Sequence, residues 1–341
     1  AIIEMDPIKV ITFSSCRFLD NTAHYGVIAV NCVADCTFQS DCTFERNHGT
    51  DCHCIYAQAA SELIVFASFS DNYKEDQEAP CIHSRVRTTL FECKFTKDST
   101  ISYSSGGILI DQDVNFTAIG CTFQLGNTGS SCGPIRYAPL NNEKQVTIER
   151  CTFSDNVGSS GVALYLQAKS TLIDLIELTF RHNTFSENLI YLKFLGSNQD
   201  TYTITGPNFQ FEENYLNNPQ NTVCGGSGIN AEGILLLEIV RCKFIQNNAT
   251  RGGGFGFHGA SVNVELRECE FRSNLASFGA GCSFQPSTGK TVIVDNCQFS
   301  NNAASQEAGS LNILSNGVTI TECTISEDSA PNYASLKIAD I

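Results

Sequence analysis

Cys242-Lys243-Phe244-Ile245-Gln246-Asn247-Asn248-Ala249, followed after Arg251 by Gly252-Gly253-Gly254-Phe255, is the stretch from which the fold can be read. Its kernel is Cys-x-Phe-x-x-Asn. The kernel recurs as Cys16-Arg17-Phe18 with Asn21, Cys42-Thr43-Phe44 with Asn47, and Cys151-Thr152-Phe153 with Asn156. It returns as Cys269-Glu270-Phe271 with Asn274 and Cys297-Gln298-Phe299 with Asn302. Looser copies centre on Phe69, Phe95, Phe123, Phe185, Phe211 and Ile325, with Asn72, Asp98, Gly126, Asn188, Asn214 and Asp328 at the Asn position. The twelve copies lie 25 to 33 residues apart along a chain of 341. A fixed internal period of that length marks a solenoid, in which each unit buries its apolar face against the next.

Between kernels the apolar residues alternate with period two, as strands do and helices do not. Val262, Val264 and Leu266 alternate, as do Val146 and Ile148, Val292 and Val294, and Val318 and Ile320. Cys269 and Phe271 alternate on the opposite parity. An odd step from Leu266 to Cys269 flips the inward face, so the chain must turn a corner between them. A third alternation follows the Asn, in Val162-Leu164-Leu166, Phe255-Phe257, Leu311-Ile313 and Leu336-Ile338. Three short strands and three corners per repeat predict an all-β fold, a single-stranded parallel β-helix of about twelve coils. Coils stacked at about 4.8 Å would make a rod of roughly 55–60 Å. The expected organisation is one solenoid domain over 1–341, with longer loops within 93–151, 151–183 and 209–242. The Phe residues are expected to stack inside. The Asn residues are placed at a corner, as an amide ladder that also takes up left-handed geometry.

With 42% apolar and 17% charged residues the chain is a folded one. A net charge of −15 argues against nucleic acid and against an anionic membrane face. No apolar run approaches a membrane span: Ile234-Leu235-Leu236-Leu237 stops at Glu238. Seventeen Cys is an odd number, so at least one thiol is free or pairs between chains.

Phe-x-x-Asn followed by Ala and a Gly-Gly-apolar strand, best seen from Cys242 to Phe257, resembles the repeat of chlamydial polymorphic outer-membrane proteins and related right-handed β-helix surface proteins. Cys297 to Ile313 and Cys16 to Val30 are close seconds. The resemblance covers nearly the whole chain. It implies a right-handed coil, an extracellular or cell-surface location, and a role in adhesion or assembly.

Nine Cys occupy the repeat position, where they read as a stacked column of small buried hydrophobes. Cys32, Cys36, Cys52, Cys54, Cys81, Cys132, Cys224 and Cys282 lie off the column and are the disulfide candidates. Cys52-His53-Cys54, near His48 and Asp51, is a weak zinc pattern, because neighbouring strand residues face opposite ways. No metal and no cofactor is expected. Asn115-Phe116-Thr117 and Asn248-Ala249-Thr250 are glycosylation sequons. Asn248 follows a ladder Asn and should point outward.

The outward residue between Cys and Phe is mixed along the repeat and carries no paired carboxylates, so no catalytic residue is assigned. The function expected is a non-enzymatic extracellular structural or surface protein. Its expected partners are further copies stacked head to tail into a filament, other surface proteins in a larger adhesin, or glycans. The alternative is a polysaccharide lyase or hydrolase, or a glycan-binding module, with Tyr supplying the stacking surface.

Overall fold

The computed structural model describes residues 2–3, 10–31, 35–58, 60–72, 80–97, 107–124, 133–139, 144–168, 172–194, 201–206, 208–218, 225–258, 262–315 and 317–339. Every regular strand pairing among them is parallel, and no α-helix occurs among them. The chain divides into two compact units, Ala1–Asp174 and Leu175–Ile341, where the repeat alone predicts one domain. In a solenoid each coil touches only its neighbours, so coils distant in sequence share no packing. Both units are parallel β-solenoids with three strand-bearing faces per coil.

In the first unit the kernel strands pair in register so that Phe18, Phe44, Phe69, Phe95, Phe123 and Phe153 fall in one row. Their rings stack at 4.6 to 5.0 Å. The second face sets Phe13, Phe38, Val65, Leu90, Ala118 and Ile148 in another row. The third face comprises Ile28–Val30, Ile55–Ala57, Ile82–Ser84, Ile108–Ile110, Ile135–Tyr137 and Leu164–Ala168. Its middle residues, from Tyr56 to Tyr165, point outward.

The second unit repeats the scheme with one correction. The expected row member Phe185 is not in the kernel row; Phe180 is. Phe180 pairs in register with Phe211, and Phe244, Phe271, Phe299 and Ile325 continue the row. Phe180-Arg181-His182-Asn183 is itself a Phe-x-x-Asn, hidden because Leu178 replaces its Cys. Phe185 belongs to the next strand, where it is buried opposite Leu216. The Asn of this coil is therefore Asn183 and not Asn188. The extra residues fall after Phe180 rather than within 151–183. Of the other expected loop regions, 98–106, 125–132, 140–143 and 219–224 lie outside the described residues, with Asp98 and Gly126 among them.

The Asn ladder forms, and its chemistry explains the residue choice. Asn274 Oδ1 accepts from both the backbone N and the Nδ2 of Asn247, at 3.0 and 3.2 Å. Asn274 Nδ2 donates to Asn302 Oδ1 at 3.0 Å and to Phe244 O at 2.9 Å. One primary amide thus meets four buried partners, which neither Asp nor Leu could do. Asn183, Asn214 and Asn247 repeat these contacts, as do Asn21, Asn47 and Asn72 in the first unit. Asn156 Nδ2 donates to Phe123 O in the same manner.

The Asn residues are not the left-handed ones, contrary to expectation. The residue before each takes that role, from Asp20 and Arg46 through Gln246 and Ser273 to Glu327, with φ of 52° to 58°. The Asn side chain must point inward to build the ladder, so the sharp turn falls on its outward neighbour. A second left-handed corner precedes the Cys, at Glu92, Arg150, Arg241, Glu268, Asn296 and Glu322. Glu268 is the corner that the odd step from Leu266 to Cys269 requires. Such φ values cost roughly 1–2 kcal/mol each. Cross-coil bonds such as Gln246 N to Arg272 O, 2.9 Å, hold them in place.

Candidate functional site

On the third face of the first unit the inward residues are aliphatic or small except for the buried Tyr137, while four of the six outward ones are aromatic or charged. Register sets Ala29, Tyr56, His83, Leu109, Arg136 and Tyr165 in one outward row. Four steps separate Tyr56 from Tyr165, about 19 Å at the strand spacing. Tyr25, 49% exposed, lies 5.8 Å from Tyr56 ring to ring, and Tyr56 meets the His83 ring edge-on at 5.1 Å.

Asp111 organises the middle of this row. Its Oδ2 accepts from His83 Nε2 at 3.1 Å and from Arg85 Nε and Nη2 at 3.3 and 3.2 Å. Burial works to raise its carboxyl, but the His83 and Arg85 contacts outweigh that and hold it below the usual range. Asp111 Oδ1 is buried with no hydrogen-bond partner. Arg85, so anchored, lies 6.0 Å from the Tyr56 ring centroid, and Arg136 lies 5.6 Å from that of Tyr165. Two stacked Arg–Tyr pairs thus flank an anchored His–Asp pair. The row offers flat aromatic surface, forked donors and a carboxylate side by side, the three kinds of group that bind polyhydroxylated rings.

Sequence reading missed these residues because they lie outside the column between Cys and Phe, the cysteine cluster and the sequons. The signal lies in the third alternation, in the residue between the inward pairs of Ile55-Tyr56-Ala57, Ile82-His83-Ser84 and Ile135-Arg136-Tyr137.

The cysteines are placed as packing groups. Column members from Cys42 to Cys297 are buried, while Cys16 and Cys323 are partly exposed. Apart from Cys42, whose Sγ donates to Phe13 O, each Sγ faces the carbonyl two residues back, as Cys269 does to Arg267 O at 3.3 Å. The off-column disulfide candidates Cys52 and Cys282 are free thiols in this structure. Cys282 stands in register between Phe255 and Leu311, and Cys52 Sγ donates to the carbonyls of Ile55 and Cys81. Burial pushes both thiols well above the ordinary range, which keeps them protonated. Cys36 aligns with Ile11 and Leu63 in the core, and Cys54 and Cys81 are equally buried. Cys32, Cys132 and Cys224 lie outside the described residues.

His53 is a buried corner group. Its Nδ1 accepts from Gly49 N at 3.0 Å, so the proton sits on Nε2, which has no partner. Protonating Nδ1 would set two donors against each other. Burial, with His48 adding to it, lowers the imidazole to about 4. No grouping of three or more metal-ligating side chains occurs among the described residues. A lowered folded value means that the unfolded chain binds the extra proton. The stabilisation is therefore present above about pH 6.5 and lost as pH falls through about 4. We expect His53→Gln to remove about one proton from the uptake on unfolding between those pH values, measured by denaturant titrations across pH.

Residues 138–325 match the family model described as the right-handed β-helix region. The chain belongs to the right-handed β-helix family. No curated protein and no solved structure matches it. In this β-helix Asn115 is exposed, with its Oδ1 accepting from Gln145 N at 3.1 Å, and Asn248 is partly exposed.

Proposed function

We propose that this β-helix is a non-catalytic extracellular surface protein that recognises glycans along the outward row of its first unit. The single observation carrying the proposal is the pair of Arg–Tyr stacks, Arg85 with Tyr56 and Arg136 with Tyr165, on either side of Asp111. A pyranose has an apolar face suited to a phenol ring and an edge of hydroxyls suited to a guanidinium or carboxylate. Membership of the family and the likeness of the kernel to chlamydial surface repeats support the extracellular placement. End-to-end association with further copies belongs to the same proposal.

The experiment is binding to a panel of neutral and acidic oligosaccharides, followed by titration calorimetry on the best binder. We expect Tyr165→Ala and Arg136→Ala each to weaken binding about tenfold, a loss of roughly 1.4 kcal/mol, with little change in thermal stability. Binding that survives both substitutions sinks the proposal. The His83–Asp111 contact is the one arrangement in the row suited to proton transfer. Cleavage of an acidic polysaccharide that is lost in His83→Asn would replace the non-catalytic reading with an enzymatic one.

A further inference from the structure

Around the buried Asn247 the strand alternates, so Asn248 turns outward while Ala249 turns in. Asn248 bridges in parallel to Tyr215 in the preceding coil and to Leu275 in the following one. Its backbone N donates to Asn214 O at 2.9 Å, and its O accepts from Leu216 N at 2.9 Å, so its place between them is fixed. Tyr215 and Leu275 are 46% and 48% exposed, in a protein whose large apolar side chains are otherwise mostly inside. With Asn248, Thr250 and Ser277 they line one open groove. The acceptor amide of the Asn248-Ala249-Thr250 sequon thus stands between two exposed apolar side chains, each about 4.8 Å away along the stack.

We propose that Asn248 is N-glycosylated and that its first sugar lies over Tyr215 and Leu275. In the transfer, Asn248 Nδ2 forms a bond to the anomeric carbon of a lipid-pyrophosphate-linked oligosaccharide. The bond from that carbon to the pyrophosphate oxygen breaks, the lipid pyrophosphate leaves with the electron pair, and the amide gives up one proton. The C–H face of the sugar then covers the phenol ring and the leucine, which accounts for two exposed apolar residues beside a sequon. Asn115 differs: its Oδ1 is held by Gln145 N within the fold.

The inference rests on the secretory part of the proposed function, so the experiment supplies that step. The full chain is expressed behind an added secretion signal in eukaryotic cells, and the purified protein is trimmed to a single sugar. Peptide mass mapping should show Asn248 occupied in most molecules, and occupancy should vanish in Thr250→Ala. Hydroxyl-radical footprinting should label Tyr215 and Leu275 severalfold more slowly in the glycosylated chain than in Asn248→Gln. A folded, secreted chain unmodified at Asn248 overturns the proposal. So does an occupied Asn248 with Tyr215 and Leu275 labelled as fast as in Asn248→Gln. Neither result bears on the row from Tyr56 to Tyr165, whose glycan binding is read separately.

Discussion

Asn274→Leu is expected to cost this β-helix about 4–6 kcal/mol, from three or so groups left unpaired at roughly 1–3 kcal/mol each. Leucine fills nearly the same volume, so the loss is one of hydrogen bonds and not of packing. It strands the backbone N–H of Asn247 and one of its amide hydrogens, and it removes the amide donors to Phe244 O and Asn302 Oδ1. The readout is the denaturant midpoint, together with hydrogen exchange at residues 246–248 and 273–275. A midpoint within the error of the parent protein would show that the ladder follows from the coil and does not hold it. Asn274→Asp tests the same site by charge. It keeps the acceptor and loses both donors, and burial should hold its carboxyl above the ordinary value. Such a group binds its proton more tightly when folded. Its stability is therefore best below about pH 4 and falls as pH rises through the folded value. The protein contains a natural precedent in Asp328, which accepts from the backbone and side chain of Asn302 and from the Ser310 hydroxyl. Burial there outweighs these bonds and raises the carboxyl above the usual range.

Gly253→Ala should be comparably damaging, at about 4 kcal/mol or more, a size that single substitutions reach only through a definite clash. A methyl at Gly253 would lie 2.4 Å from Leu275 O and 2.6 Å from Ala280 O. Both are backbone atoms, held by Ala249 N at 3.1 Å and Gly254 N at 2.9 Å, so neither can move without parting two coils. Gly289→Ala is the matched control. Its φ is +80° but nothing lies within 4 Å of the added methyl. We expect it to cost only about 1–2 kcal/mol, the price of the left-handed conformation alone. Equal midpoints for the two variants would mean that the coils yield to the added methyl and that coil contact does not dictate the glycine at 253.

The sequence makes the repeat legible because each inward position recurs in a fixed chemical class. Phe stacks on Phe, and an amide must follow an amide. Misreading Phe185 for Phe180 shows the limit of this. Once Leu178 replaces the Cys, two Phe five residues apart compete, and only cross-coil register separates them. The outward surface carries no such constraint. Tyr56, His83 and Arg136 fall in one row by cross-coil register, and no repeated residue type marks that row in the sequence. The off-column Cys36 and Cys282 are likewise placed only by cross-coil register. Off the column, nothing in the sequence says that they occupy the inward positions held by Leu63 and Leu311 in adjacent coils.

The amide ladder has a direction. From Asn214 to Asn247, Asn274 and Asn302, every Nδ2 gives one hydrogen to the ladder side chain of the later coil and the other to a Phe carbonyl of the earlier one, and every Oδ1 receives from the earlier coil. A coil emerging during synthesis can at once serve as acceptor for its predecessor, yet one of its own amide hydrogens waits for the coil not yet made. The growing tip therefore always carries one unanswered donor. Asp328 accepts without offering a donor in return, so the relay from amide to amide stops at that position.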